Sequence, residues 1–111
     1  MEFTQGKQSV ILKDAYANLK QFASFLNVKV PEQYTDQNVI IDLIGYSDLD
    51  LDGLLLFLPL SDAHRGAAHS LVIINASIDY DLIPDELIVV PTLQEAEDII
   101  EMEEIERDLG F

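Results

Sequence analysis

Three short runs of this chain are apolar throughout: Val39-Ile40-Ile41, Leu71-Val72-Ile73-Ile74 and Leu87-Ile88-Val89-Val90. A strand with one face in water alternates apolar and polar residues, whereas an unbroken run suits a strand covered on both faces. Such strands belong to parallel sheets with helices packed on them. Helical patterns fall between the runs. Leu19, Phe22, Ala23 and Leu26 recur at helical spacing within residues 15–26. A second helix is expected to start near Asp50 or Asp52 and run toward Gly66. Pro59 either kinks that helix or opens a second segment as a first-turn proline.

Thr92 followed three residues later by Glu95 makes a capping box for a last helix, and Gly110 is a suitable C-cap. Leu93, Ala96, Ile99, Ile100, Met102, Ile105 and Leu109 are expected to form its buried face. Near the N-terminus, Gly6-Lys7 reads as a hairpin tip joining residues 2–5 to 8–13. Pro31 and the polar residues 32–38 read as a connection, and the segment around Asp79, Asp81 and Pro84 has room for one helical turn. The alternation predicts an α/β fold, a single domain over residues 1–111. Its sheet is mostly parallel or mixed, of four to five strands, flanked by helices.

Half of the 111 residues (49%) are hydrophobic, enough for one core. No apolar run nears the roughly 20 residues needed to span a bilayer, and the first residues lack a signal-peptide pattern. Cysteine is absent, which excludes disulfides and thiolate metal sites. A cytoplasmic protein without a membrane partner is the expectation. The formal charge is −15, and the six basic residues Lys7, Lys13, Lys20, Lys29, Arg65 and Arg107 are dispersed. Direct nucleic-acid binding needs a cationic surface that this chain lacks. A basic protein surface is the better match, and a second copy of the chain, giving a homodimer, stays open.

Asp48, Asp50, Asp52 and Gly53 begin like a calcium loop. An EF-hand ends its loop of about 12 residues in a bidentate Glu, and here Pro59 stands in that place. Capping of the following helix by Asp50 or Asp52 accounts for these acids better. Asp42 lies within the apolar run over residues 39–44, which is expected as a strand, and an acid in such a strand is usually near its C-terminal end, where open α/β sheets carry their functional loops. An enzyme alternative would use Asp42, Asp48, Asp50 and Asp52 around Mg²⁺ for hydrolysis. His64 and His69 lie about 140° apart on a helix, the wrong geometry for one metal, and a surface helix end is expected there. With two histidines and no cysteine, no zinc site, other cofactor or catalytic residue is assigned. The last helix carries Glu97, Glu101, Glu104 and Asp108 as a candidate acidic face for a basic partner.

The order of elements and the stretch "VIIDLIGYSDLDLDGLLLFL" resemble the STAS domain of anti-sigma-factor antagonists and sulphate-transporter tails. In that family a strand ends in an acid and a small loop, followed by approximately D-S-S-G-L at a helix start. Asp42 matches the strand acid, Gly45 the loop glycine, Asp50 the motif Asp, Gly53 the motif Gly and Leu54 the following apolar residue. "SLVIINASID" and "LIVVPTLQEAEDII" resemble the later strands and last helix. The resemblance implies a protein-interaction module whose partner-binding loop comprises Asp42, Gly45, Ser47, Asp48, Asp50, Leu51, Asp52 and Gly53. Leu51 stands where the phosphorylatable antagonists keep Ser or Thr, so the implied module lacks that switch. The tail "DELIVVPTLQEAEDIIEMEEIERDLGF" resembles short bacterial chains that bear the name ribonuclease Z. That enzyme of tRNA 3′ processing needs an H-x-H-x-D-H cluster, which is missing here, so this second resemblance implies an accessory role rather than RNA cleavage.

Overall fold

A computed structural model of the chain describes residues 1–14 and 18–110. Five strands form one sheet in sequence order: β1 (Glu2–Gln5), β2 (Ser9–Lys13), β3 (Asn38–Asp42), β4 (Leu71–Ile74) and β5 (Val89–Val90). β1 pairs antiparallel with β2 as a hairpin, with Glu2 opposite Lys13 and Gln5 opposite Val10. All later pairs are parallel. The fold is thus α/β with a mixed sheet, as the unbroken apolar runs require.

Strand periodicity sorts the core into two layers. Val10, Leu12, Val39, Ile41, Leu71 and Ile73 point to one face, under helices α1 (Leu19–Gln33), α2 (Leu51–Leu55) and α3 (Leu58–Gly66). Phe22, Leu26 and Val30 of α1 meet Leu54, Phe57 and Leu60 there. Ile11, Ile40, Val72 and Ile74 point to the other face, where Ala96 and Ile100 of α4 (Leu93–Asp108) cover them. Both faces of the sheet are covered, so with period-2 side-chain alternation both sets are apolar along the middle of these strands, and the buried polar residues Ser9 and Asn38 stand at the first positions of β2 and β3.

The helix at residues 15–26 is shifted and longer than expected. Its expected start at Ala15 lies outside the described residues, and Asn18 caps the described helix by accepting from the Gln21 amide at 3.0 Å. At the other end Pro31 and the next two residues are helical rather than a connection. Proline removes the bond to the carbonyl four residues back, that of exposed Asn27, which water can satisfy. Burial of Val30 and Tyr34, and stacking of Tyr34 on Phe3 at 6.0 Å, hold the last turn in place. Pro59 opens α3 from its first turn, so the two apolar helical stretches are separate segments.

α4 departs furthest from expectation. Thr92 caps it, its hydroxyl accepting from the Glu95 amide at 3.2 Å. Of the seven apolar residues expected to be buried, Ala96 and Ile100 are, and Ile99 is half-buried. Leu93, Met102, Ile105 and Leu109 are exposed. The cause is polar. Arg65 pairs with Glu103 at 3.2 Å, and Arg107 bonds Glu104, Ser70 Oγ and Asn38 Oδ1. These bonds turn residues 103, 104 and 107 toward the N-terminal ends of β3 and β4, and the side chains at 102, 105 and 109 must then point away.

Candidate functional site

The loop between β3 and α2 lies at the C-terminal edge of the parallel strands. β3 ends at Asp42, two residues before the expected end at 44, because the Asp42 carboxylate accepts the Ile44 amide at 3.0 Å and turns the chain. A second turn follows, with the Tyr46 amide donating to Leu43 O at 3.0 Å. Asn75, wholly buried at the end of β4, holds both residues: its Nδ2 donates to Leu43 O and Tyr46 O, each at 2.9 Å. Its Oδ1 accepts from the Ser77 and Ile78 amides, so one side chain ties the loops after β3 and β4 together. Ser77 Oγ adds a bond to Tyr46 O at 3.0 Å.

The Tyr46 hydroxyl donates to Asp14 at the end of β2. Burial, then the hydrogen bond and charge of Asp14, push the Tyr46 phenol well above its ordinary range. The phenol therefore stays protonated and serves as a fixed donor. Leu49 is buried in the core, and Asp50 caps α2 by accepting the Gly53 amide at 2.8 Å. Gly53 has a packing reason: a Cβ there would meet Leu19 Cδ2 of α1 at 2.7 Å. Leu43, Tyr46 and Leu49 thus anchor the loop, and Ile44, Gly45, Ser47, Asp48, Asp50 and Asp52 face solvent. Beside it lies a shallow hollow lined by Leu19, Lys20, Asp50, Asp52 and Leu56.

The site residues read from the sequence separate by role. Gly45, Ser47, Asp48, Asp50 and Asp52 are exposed on the loop and the first turn of α2, while Asp42, Leu51 and Gly53 are half-buried. Asp42 is committed to a backbone amide and Asp50 to a helix cap. Among the described residues, no three His, Cys, Asp or Glu side chains stand together where they could hold a metal ion, so the four aspartates are not gathered into one cluster. The acidic face on α4 also divides. Glu101 and Asp108 are exposed, but Glu97 sits half-buried 3.8 Å from Lys7, and Glu104 is bound to Arg107 and Asn38. The Arg107 bond, then that of Asn38, holds the Glu104 carboxyl below the usual range.

His64 is not at a surface helix end. It is 4% exposed, and its Nε2–H donates to the Gln37 carbonyl at 2.6 Å. The His64 and His69 ring centres are 5.8 Å apart, closer than a continuous helix would place them. The chain reverses at Ala68, whose φ is 65°, after α3 ends at Gly66. Burial holds the His64 imidazole below its ordinary value, and the neighbouring His69 and Arg65 lower it further against the raising effect of the Gln37 bond. This cluster is at the opposite edge of the sheet from Tyr46.

The chain was compared with protein-family models and with curated proteins, and neither comparison yields a match. The residues that shape the loop were only partly legible. Asn75 was the available signal: an amide closing a wholly apolar strand needs several hydrogen-bond partners when buried. Tyr46 and Ile44 carried no pattern of their own, because their places depend on Asp14 and Asn75, far off in sequence. Among the described residues no helix is long and apolar enough to cross a membrane.

Proposed function

We propose that the chain is a STAS-like protein-interaction module without catalytic activity, which presents the loop over residues 43–53 to a regulatory partner. The observation that supports this reading is the loop itself, held by buried Asn75 while Ile44, Ser47, Asp48 and Asp52 face solvent. A preformed surface binds without the entropy cost of ordering a loop. Its place at the C-terminal edge of a parallel sheet is where open α/β folds carry their binding sites. The groups whose pKa is shifted each have a structural partner: Tyr46 with Asp14, His64 with Gln37 O, Glu104 with Arg107.

The module works without a phosphate on the motif position. Leu51, half-buried in the first turn of α2, has no hydroxyl, and Asp52 beside it carries a carboxyl group that a Ser/Thr kinase does not modify. Ser61 is wholly buried and closed to a kinase, which leaves exposed Ser47 as the loop's own acceptor. The resemblance of the tail makes ribonuclease Z the first partner to assay.

Affinity capture with the full chain tests the reading, comparing wild type with Ile44→Ser/Asp48→Lys/Asp52→Lys, which spares the capping Asp50. The variant is expected to melt near wild type and to lose a partner that wild type retains. Equal capture by both would move the interface elsewhere. Phosphate on Ser47 that changes partner affinity would overturn the switchless part. Zinc-dependent, chelator-sensitive trimming of tRNA precursors by the purified chain would overturn the non-catalytic part.

A further inference from the structure

The apolar residues of α4 serve two sides of one helix. Ala96 and Ile100 are buried on the sheet. Met102, Ile105 and Leu109 are 58%, 53% and 65% exposed. Steps of three and four residues put them on one stripe, about 10 Å long. The bonds of Arg65 and Arg107 to Glu103 and Glu104 fix this rotation, so the stripe cannot roll into the core. Among the described residues α4 is the sole helix on its face of the sheet, and no other element of the chain covers the stripe.

Charge decides what fits it. Glu101 and Asp108 flank the stripe on one side and Glu106 on the other, all exposed. The cation within the helix, Arg107, is turned inward and bound to Glu104. We propose that the outer face of α4 is a docking surface for a basic amphipathic helix of another protein. Its apolar residues lie on Met102, Ile105 and Leu109, and its Lys or Arg side chains reach the flanking carboxylates. Helix-on-helix contact needs only this narrow seam. A second copy of the chain would bring the same acids, and −15 against −15, into apposition. Nucleic acid and anionic lipid are repelled for the same reason. The seam is short, so the complex is weak and quickly exchanged, with attraction between the charges speeding encounter. This surface is on the opposite face of the sheet from α2 and independent of the loop.

The test is fluorescence anisotropy with the full chain and three labelled peptides. One carries Leu at helical spacing with Lys elsewhere, one has the same composition scrambled, and one has Glu in place of Lys. The patterned basic peptide is expected to bind about 10-fold or more tighter than the other two, and less tightly as salt is raised. Met102→Ser/Ile105→Ser is expected to weaken it about 10-fold with the melting temperature unchanged. Phe25→Ser/Val28→Ser, exposed on α1, is expected to leave it unchanged. Glu101→Gln/Asp108→Asn is expected to lower affinity and flatten the salt dependence. Equal binding of the scrambled peptide, or unaltered binding by the Met102/Ile105 variant, would overturn the proposal. A dimer in sedimentation that Ile105→Ser dissociates would also overturn it, assigning the stripe to a second copy.

Discussion

Asn75 and Ser61 are both buried polar residues, and the structure treats them oppositely. The Asn75 amide is fully engaged, with the loop carbonyls of Leu43 and Tyr46 on one side and the amides of Ser77 and Ile78 on the other. Removing it strands those groups away from water, so Asn75→Ala is expected to cost about 2–4 kcal/mol. Urea denaturation reads the loss, and faster amide exchange at Ser77 and Ile78 would localise it. The Ser61 hydroxyl is buried on α3 with no hydrogen-bond partner among the described residues. Ser61→Ala removes an uncompensated polar group and is expected to raise stability by about 1 kcal/mol in the same assay. In the sequence the two residues gave no such contrast: Asn75 ended an apolar run, and Ser61 was one serine among six. What separates them is which backbone groups the fold brings within reach.

At the scale of elements, local signals read best where they concern a single segment. Thr92 caps α4 as its type predicts, and of the two readings open for Pro59 the structure has the one in which it opens α3. The end of α3 is different. Ala68 adopts φ 65°, a left-handed conformation that disfavours a side chain, in the turn that returns the chain to β4. Its position after the helix is one that glycine ordinarily fills. Ala68→Gly is expected to raise stability by about 0.5–1 kcal/mol, the relief of strain exceeding the added freedom of the unfolded chain. A higher thermal midpoint with an unchanged circular dichroism spectrum would show it, and a lower midpoint would contradict it. The expected seven-residue buried face of α4 failed because helical spacing alone does not orient a helix carrying two apolar stripes. Arg65 and Arg107, the chain's two arginines, made the choice through Glu103 and Glu104.

For the whole molecule, pH acts first through His64. Burial chiefly holds its imidazole below the ordinary 6.5. The folded state then binds this proton less readily than the unfolded chain. Its contribution to stability is full above about pH 6.5 and declines as pH falls below that, until the folded imidazole itself titrates. The urea midpoint is expected to drop between about pH 7.5 and 5.5, and His64→Gln to flatten that part of the profile. Glu104, held low chiefly by Arg107, acts in a separate window. Its contribution is present above the unfolded carboxyl value and lost in more acidic solution as the folded group titrates. The cluster of His64, Arg65, Glu103, Glu104 and Arg107 gathers where β3 and β4 begin, and the loop proposed for binding where they end, so the two edges of the sheet carry different chemistry.

The sequence by itself determined the α/β class, the mostly parallel sheet and the helix start at Thr92, and narrowed the start of α2 to Asp50 or Asp52, because apolar runs and caps act between residues close along the chain. A loop leading into Gly53 was also legible there, whereas the strand stopped at Asp42, two residues short of the end that the apolar run led to expect. Tertiary structure alone decided that Asn75 and Asp14 hold that loop, that His64 is buried on Gln37, and that half of the apolar residues of α4 face outward. Each of these depends on partners from about 30 to 70 residues away, whose meeting no local spacing encodes.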